Sequence, residues 1–147
     1  MANLDYAGQG IDELHVLFDR IERQTPLNEI HYLNLSGNNI ECLNPLHRLP
    51  NLRQVDLSNN QIHSLTSLKQ PLLFLKELDV SFNRLTSLTG LSKLPELEVL
   101  IARNNRITSL QALDELHSVC SKLRVLDLEQ NSLHDIQDLG WLAGEPS

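Results

Sequence analysis

The stretch "VDLSNNQIHSL" (residues 55–65) returns nearly unchanged as "LDVSFNRLTSL" (78–88) and again as "LDLEQNSLHDI" (126–136). Aligned on its asparagine, the phrase occurs five times, at Asn38, Asn60, Asn83, Asn105 and Asn131, in steps of 22, 23, 22 and 26 residues. Upstream of each asparagine stands the pattern L-x-x-L-x-L-x-x-N. Ile30, Leu33 and Leu35 fill it in the first unit and Leu52, Val55 and Leu57 in the second. Leu75, Leu78 and Val80 follow in the third, Leu97, Leu100 and Ala102 in the fourth, and Leu123, Leu126 and Leu128 in the fifth. Downstream, apolar residues recur every third position, as in Ile62, Leu65, Leu68 and in Leu85, Leu88, Leu91, Leu94.

These two spacings call for two kinds of backbone. The alternation before each asparagine has the two-residue period of a strand. A three-residue step falls about 60° short of an α-helical turn, so four such leucines would smear around a helix. In tight turns and short 3₁₀ segments, residues three apart stack instead. The composition agrees: the chain has 32 leucines but only six aromatic residues. A core made mainly from one aliphatic side chain implies a repeated unit, and a unit this short buries its leucines only by stacking on neighbours.

The repeat resembles the leucine-rich repeat family, and its 22-residue unit is similar to the short SDS22-like class, over roughly residues 27 to 142. The resemblance implies an α/β fold: a right-handed solenoid with a curved parallel sheet on the concave face, turns and 3₁₀ helix on the convex face, and a lid over the first coil. The asparagine has a physical reason to return. After each strand the backbone turns sharply inside the coil, and an unpaired buried N–H or C=O costs roughly 1–3 kcal/mol. A carboxamide both donates and accepts, so it serves the turn of its own coil and that of the neighbour. Asn38, Asn60, Asn83, Asn105 and Asn131 are therefore expected to form an internal structural ladder.

Residues 1–26 are expected to supply the N-terminal cap, with residues 27–147 forming about five repeats. Ile11, Leu14, Phe18 and Ile21 have the spacing of an amphipathic helix over about 11–23, ended by Thr25-Pro26. Such a helix suits a lid over the first coil; the rival reading is a partner-binding helix. In the fourth unit the four extra residues predict a true α-helix in "QALDELHSVCSK", with Cys120 packed inside it. At the C-terminus, either the fifth convex segment folds over with Trp141, or the chain is the N-terminal domain of a longer protein.

No enzymatic chemistry stands out. The six histidines are scattered without metal-ligand spacing, the glycines form no phosphate loop, and no nucleophile elbow occurs. No catalytic residue, metal or cofactor is expected. Net charge of −7 argues against direct nucleic-acid binding. Cys42 and Cys120 show neither disulfide nor zinc spacing, and no apolar run reaches membrane-spanning length. A reducing compartment is expected, cytoplasmic or alternatively nuclear.

The x positions of the strand segments then become the candidate surface. They read Tyr32, Asn34 and Ser36; Gln54, Asp56 and Ser58; Glu77, Asp79 and Ser81, followed by Phe82; Val99, Ile101 and Arg103; and Val125, Asp127 and Glu129. Small polar residues are routine on a solvated sheet face. Apolar Val99 and Ile101 in polar slots are not, and they suggest contact with a partner. The candidate partner-binding residues are Tyr32, Gln54, Asp56, Glu77, Asp79, Phe82, Val99, Ile101, Arg103, Val125, Asp127 and Glu129. The partner expected is a protein of basic and partly apolar character, with neither nucleic acid nor membrane touched directly. By resemblance, the setting is a targeting or scaffold role in a cytoskeletal, centrosomal or ciliary protein; regulation of phosphatase-1, or an RNA-processing adaptor acting through a protein partner, are the alternatives.

Overall fold

The computed structural model describes residues 1–110 and 120–133. Six short strands, β1 (Ala2–Asp5), β2 (Ile30–Asn34), β3 (Gln54–Asp56), β4 (Glu77–Asp79), β5 (Val99–Ile101) and β6 (Val125–Asp127), lie in chain order in one parallel sheet. Between them the chain returns through 3₁₀ turns at Leu27–Glu29, Asn44–Arg48, Leu65–Ser67 and Leu91–Lys93. Leucines of the strands and of the three-residue series meet between these two sides; Leu33, Leu57, Leu65, Leu85, Leu88 and Leu94 are wholly buried. Strands stack about 4.8 Å apart, while the bulkier turns opposite need more room, so the strand side is the inner, concave one.

The N-terminal segment is more than a helix. Residues 1–11 form an additional coil in register with the first unit: Leu4 pairs with Leu33 and Asp5 with Asn34. Further along, the Tyr6 N–H donates to Asn34 O at 2.8 Å and the Gly8 N–H to Ser36 O at 2.9 Å. The helix α1 (Leu14–Glu22) begins three residues later than its apolar spacing suggests. The cause lies in Ile11, whose N–H donates to Asn38 Oδ1 and whose carbonyl accepts the Asn39 N–H, leaving its backbone no helical partner. The helix buries Leu14, Leu17, Phe18 and Ile21 and packs against the turns Leu27–Glu29 and Asn44–Arg48. Arg48 clamps it, reaching Asp19 at 2.9 Å and Glu22 at 3.2 Å.

Asparagines tie the bends together. Asn60 donates to Leu57 O in its own coil and to Leu35 O in the preceding one, and its Oδ1 accepts the Ile40 N–H. Asn83 and Asn105 repeat the arrangement one and two coils on. Asn38 closes the N-terminal coil, accepting from Gln9 and Ile11 and donating to Tyr6 O. Asn131 does the same at the other end, bonding Ala102 O and the Ile107 N–H.

Cys120 is buried, and its thiol donates to Leu94 O at 2.9 Å. Burial pushes its pKa up to about 11, which keeps the thiol protonated and inert. The convex helix expected at 112–120 and the segment containing Trp141 lie outside the described residues, apart from Cys120 itself. Among the described residues, no helix is long and apolar enough to cross a membrane.

Candidate functional site

The strand register sorts the concave side chains into rows. Tyr32, Gln54, Glu77, Val99 and Val125 stand side by side in one row. Asn34, Asp56, Asp79, Ile101 and Asp127 form the next. Seven of the residues singled out in the sequence surround one shallow depression of about 170 Å³: Tyr32 and Gln54 at one end, Asp56, Glu77 and Asp79 in the middle, Val99 and Ile101 at the other. Val99 and Ile101 are half-buried rather than fully exposed, whereas Val125, next in the row, is 37% exposed.

The second row has a structural task that its composition alone does not announce. Its side-chain oxygens cap the backbone where each strand ends: Asp56 Oδ1 accepts the Ser58 N–H at 2.9 Å, Asp79 Oδ1 the Ser81 N–H at 2.9 Å, and Asp127 Oδ1 the Glu129 N–H at 3.1 Å. Asn34 does the same for Ser36, and Asp5 for Ala7. The signal is present in the sequence, because each of these residues lies four places before the ladder position. Ile101 breaks the series. With no oxygen there, the Arg103 N–H turns instead to Ser81 Oγ of the preceding coil at 3.2 Å, and Ser81 is buried. A slot that elsewhere holds a capping oxygen has been given to an aliphatic side chain, and the neighbouring coil supplies the substitute.

The acidic residues divide into two groups. Arg103 Nε pairs with Asp127 at 2.5 Å and its Nη1 reaches Glu129 at 3.4 Å. The hydrogen bond and charge of Asp127 raise the Arg103 pKa, with smaller contributions from Glu129 and Asp79. Among the described residues, Asp56, Glu77 and Asp79 have no ion-pair partner.

Phe82 sits just past β4, 52% exposed, with φ +56°. The same left-handed slot holds Gly37, Asn59, Asn104 and Gln130 in the other coils. An aromatic residue pays roughly 1–2 kcal/mol for that backbone conformation, and here its ring stays half in water.

Three segments of the chain, residues 29–70, 74–115 and 95–141, match the family profile described as Leucine Rich repeats (2 copies). The chain belongs to the leucine-rich repeat family. Internalin C2 from Listeria monocytogenes is similar in structure, with 30% identity and a TM-score of 0.67 over 78% of this chain and 49% of that one. The leucine-rich repeat domain of APL1 aligns at 28% identity and a TM-score of 0.58, covering 71% of this chain and 28% of that one. An internalin F from Listeria monocytogenes, at 24% identity and a TM-score of 0.59, covers 80% of this chain and 40% of that one and shares the fold. The chain thus spans about half or less of the length of these structures. Comparison with curated proteins gave no match. Leucine-rich repeat proteins are generally non-enzymatic modules that bind other proteins, and the fold supports that coarse assignment here.

Proposed function

We propose that the chain is a non-enzymatic interaction module whose concave face recognises a protein partner with basic and apolar character. The observation that carries this reading is Ile101: an aliphatic side chain on the open face, in a slot that gives up a capping oxygen, beside Val99 and three carboxylates that form no ion pair among the described residues. Two aromatic residues, Tyr32 lining the depression and Phe82 just past β4, are of a type common at interfaces. The role we assign is targeting or scaffolding within a cytoskeletal, centrosomal or ciliary protein, by resemblance to other short repeats.

The test is capture from a cell extract by the immobilised chain, with the partner then identified. Ile101→Asp puts back the residue type that Asp79 and Asp127 supply in the same row, so the fold is expected to hold and the melting temperature to stay within a few degrees. Partner capture is expected to fall at least tenfold. Undiminished capture by Ile101→Asp and by Tyr32→Asp would sink the concave-face reading. Phosphatase activity in the eluate would favour a phosphatase-1 regulatory role, and an RNA-binding protein there would favour an RNA-processing adaptor.

A further inference from the structure

The depression on the concave face has the shape and charge of a socket for a single side chain. Its volume of about 170 Å³ is below the roughly 300–1,000 Å³ of pockets that enclose small-molecule ligands. Asp56 and Asp79 are register partners on adjacent strands, with Glu77 one residue row away. Neighbouring strands are about 4.8 Å apart, so these carboxylates repel one another. Elsewhere on the same face that repulsion is relieved: Asp127 and Glu129 share the Arg103 guanidinium. Asp56, Glu77 and Asp79 form no ion pair among the described residues, and Arg103 acts on Asp79 only as the weakest of its acidic neighbours, without a contact; Val99 and Ile101 wall one side of the depression and the Tyr32 ring the other.

We infer that this socket receives an arginine side chain of the protein partner. The guanidinium takes the place beside Asp56, Glu77 and Asp79 that Arg103 takes beside Asp127 and Glu129. Arginine fits better than lysine because its planar fork meets two carboxylates at once and stacks on an aromatic face such as Tyr32. Its three methylenes lie on Val99 and Ile101, which explains apolar residues within an acidic row. The inference deepens the concave-face reading and rests on it.

A pair of substitutions separates charge from fold. Asn34 occupies the same row as Asp56 and Asp79 and keeps the backbone cap through its amide oxygen. Asp56→Asn with Asp79→Asn therefore removes two charges while both caps remain. The experiment is an NMR titration of the ¹⁵N-labelled full chain with Nα-acetyl-arginine amide, and with Nα-acetyl-citrulline amide as its uncharged isostere. Arginine amide is expected to shift the amides of residues 54–56, 77–79 and 99–101, and to bind about tenfold more tightly than citrulline amide. Binding is expected to weaken with salt, and by about tenfold in the double variant, at an unchanged melting temperature; Glu41→Gln, exposed and outside the depression, is expected to bind like the parent. Equal binding of the two amides, or shifts centred on residues 127–129, would overturn the inference. If arginine amide fails while Ile101→Asp still abolishes partner capture, the socket is wrong and the concave-face reading stands. If Ile101→Asp and Tyr32→Asp both capture normally, both fall.

Discussion

Replacing Asn83 tests the internal ladder where it is most enclosed. The Asn83 Oδ1 accepts the Ile62 N–H at 3.0 Å, and its amide donates to Leu57 O and Val80 O, both at 2.9 Å. Those carbonyls have second partners: Leu57 O also accepts from Asn60 and Val80 O from Asn105. In Asn83→Ala, therefore, the carbonyls each keep one bond, and the Ile62 N–H is the group left without its acceptor. An orphaned buried N–H costs about 1–3 kcal/mol, and the two weakened carbonyls add about 0.5 kcal/mol each, for a loss of about 2–4 kcal/mol. Asn83→Asp is expected to cost more, because it sets a carboxylate against two carbonyl oxygens. That carboxyl would have a folded-state pKa above its unfolded value, so its penalty is full at neutral pH and shrinks as pH falls through the folded pKa. Asn131→Ala, at a half-buried site, should cost only about 1 kcal/mol. Urea unfolding followed by circular dichroism measures all three. A loss under about 1 kcal/mol for Asn83→Ala, or no difference between positions 83 and 131, would refute the reasoning.

Phe82→Asn places in the left-handed slot a residue that Asn59 and Asn104 already show it accepts; stability should rise by about 1 kcal/mol, or about 2–4 °C in Tm, while partner capture weakens. Gly90→Ala should destabilise by about 2–4 kcal/mol in the same urea assay, since φ is +108° there and a Cβ would stand 2.8 Å from the Leu65 carbonyl carbon and oxygen. With a thiol reagent at pH 8, exposed Cys42 should react in the native chain and buried Cys120 only on unfolding. Because burial raises the Cys120 pKa from about 9 to about 11, its contribution to stability is complete below pH 9 and should be lost as pH climbs from about 9 to 11; Cys120→Ala should flatten that part of the stability profile.

Period carried most of the fold into view. The leucine alternation and the three-residue series each demand one kind of backbone, and five copies leave little freedom in stacking. The N-terminal coil was hidden because its slots are filled by unusual residues: Tyr6 where the others have Leu, Val or Ala, and Gln9 where they have Asn. Only its hydrogen bonds to the next coil identify it. At the candidate site, the x positions of each strand could be read directly, and seven of them border the depression. The capping role of Asp56 and Asp79 was legible in principle, four places before each asparagine, but a surface aspartate and a capping aspartate look alike in a sequence. The replacement of the cap missing at Ile101 by Ser81 was not legible at all, since it joins Arg103 and Ser81, 22 positions apart, through one hydroxyl whose direction only the coordinates give.

Every ladder carboxamide reaches back to the coil before it: Asn38 to Ile11, Asn60 to Ile40, Asn83 to Ile62, Asn105 to Leu85, Asn131 to Ile107. The array therefore has a direction, like a zip whose every tooth is locked by the one that follows. As the chain emerges from the ribosome, a bend gains its last partner only when about twenty more residues have been made. Shortening the chain between two units would injure the unit on the retained side of the cut, because its lock leaves with the residues removed.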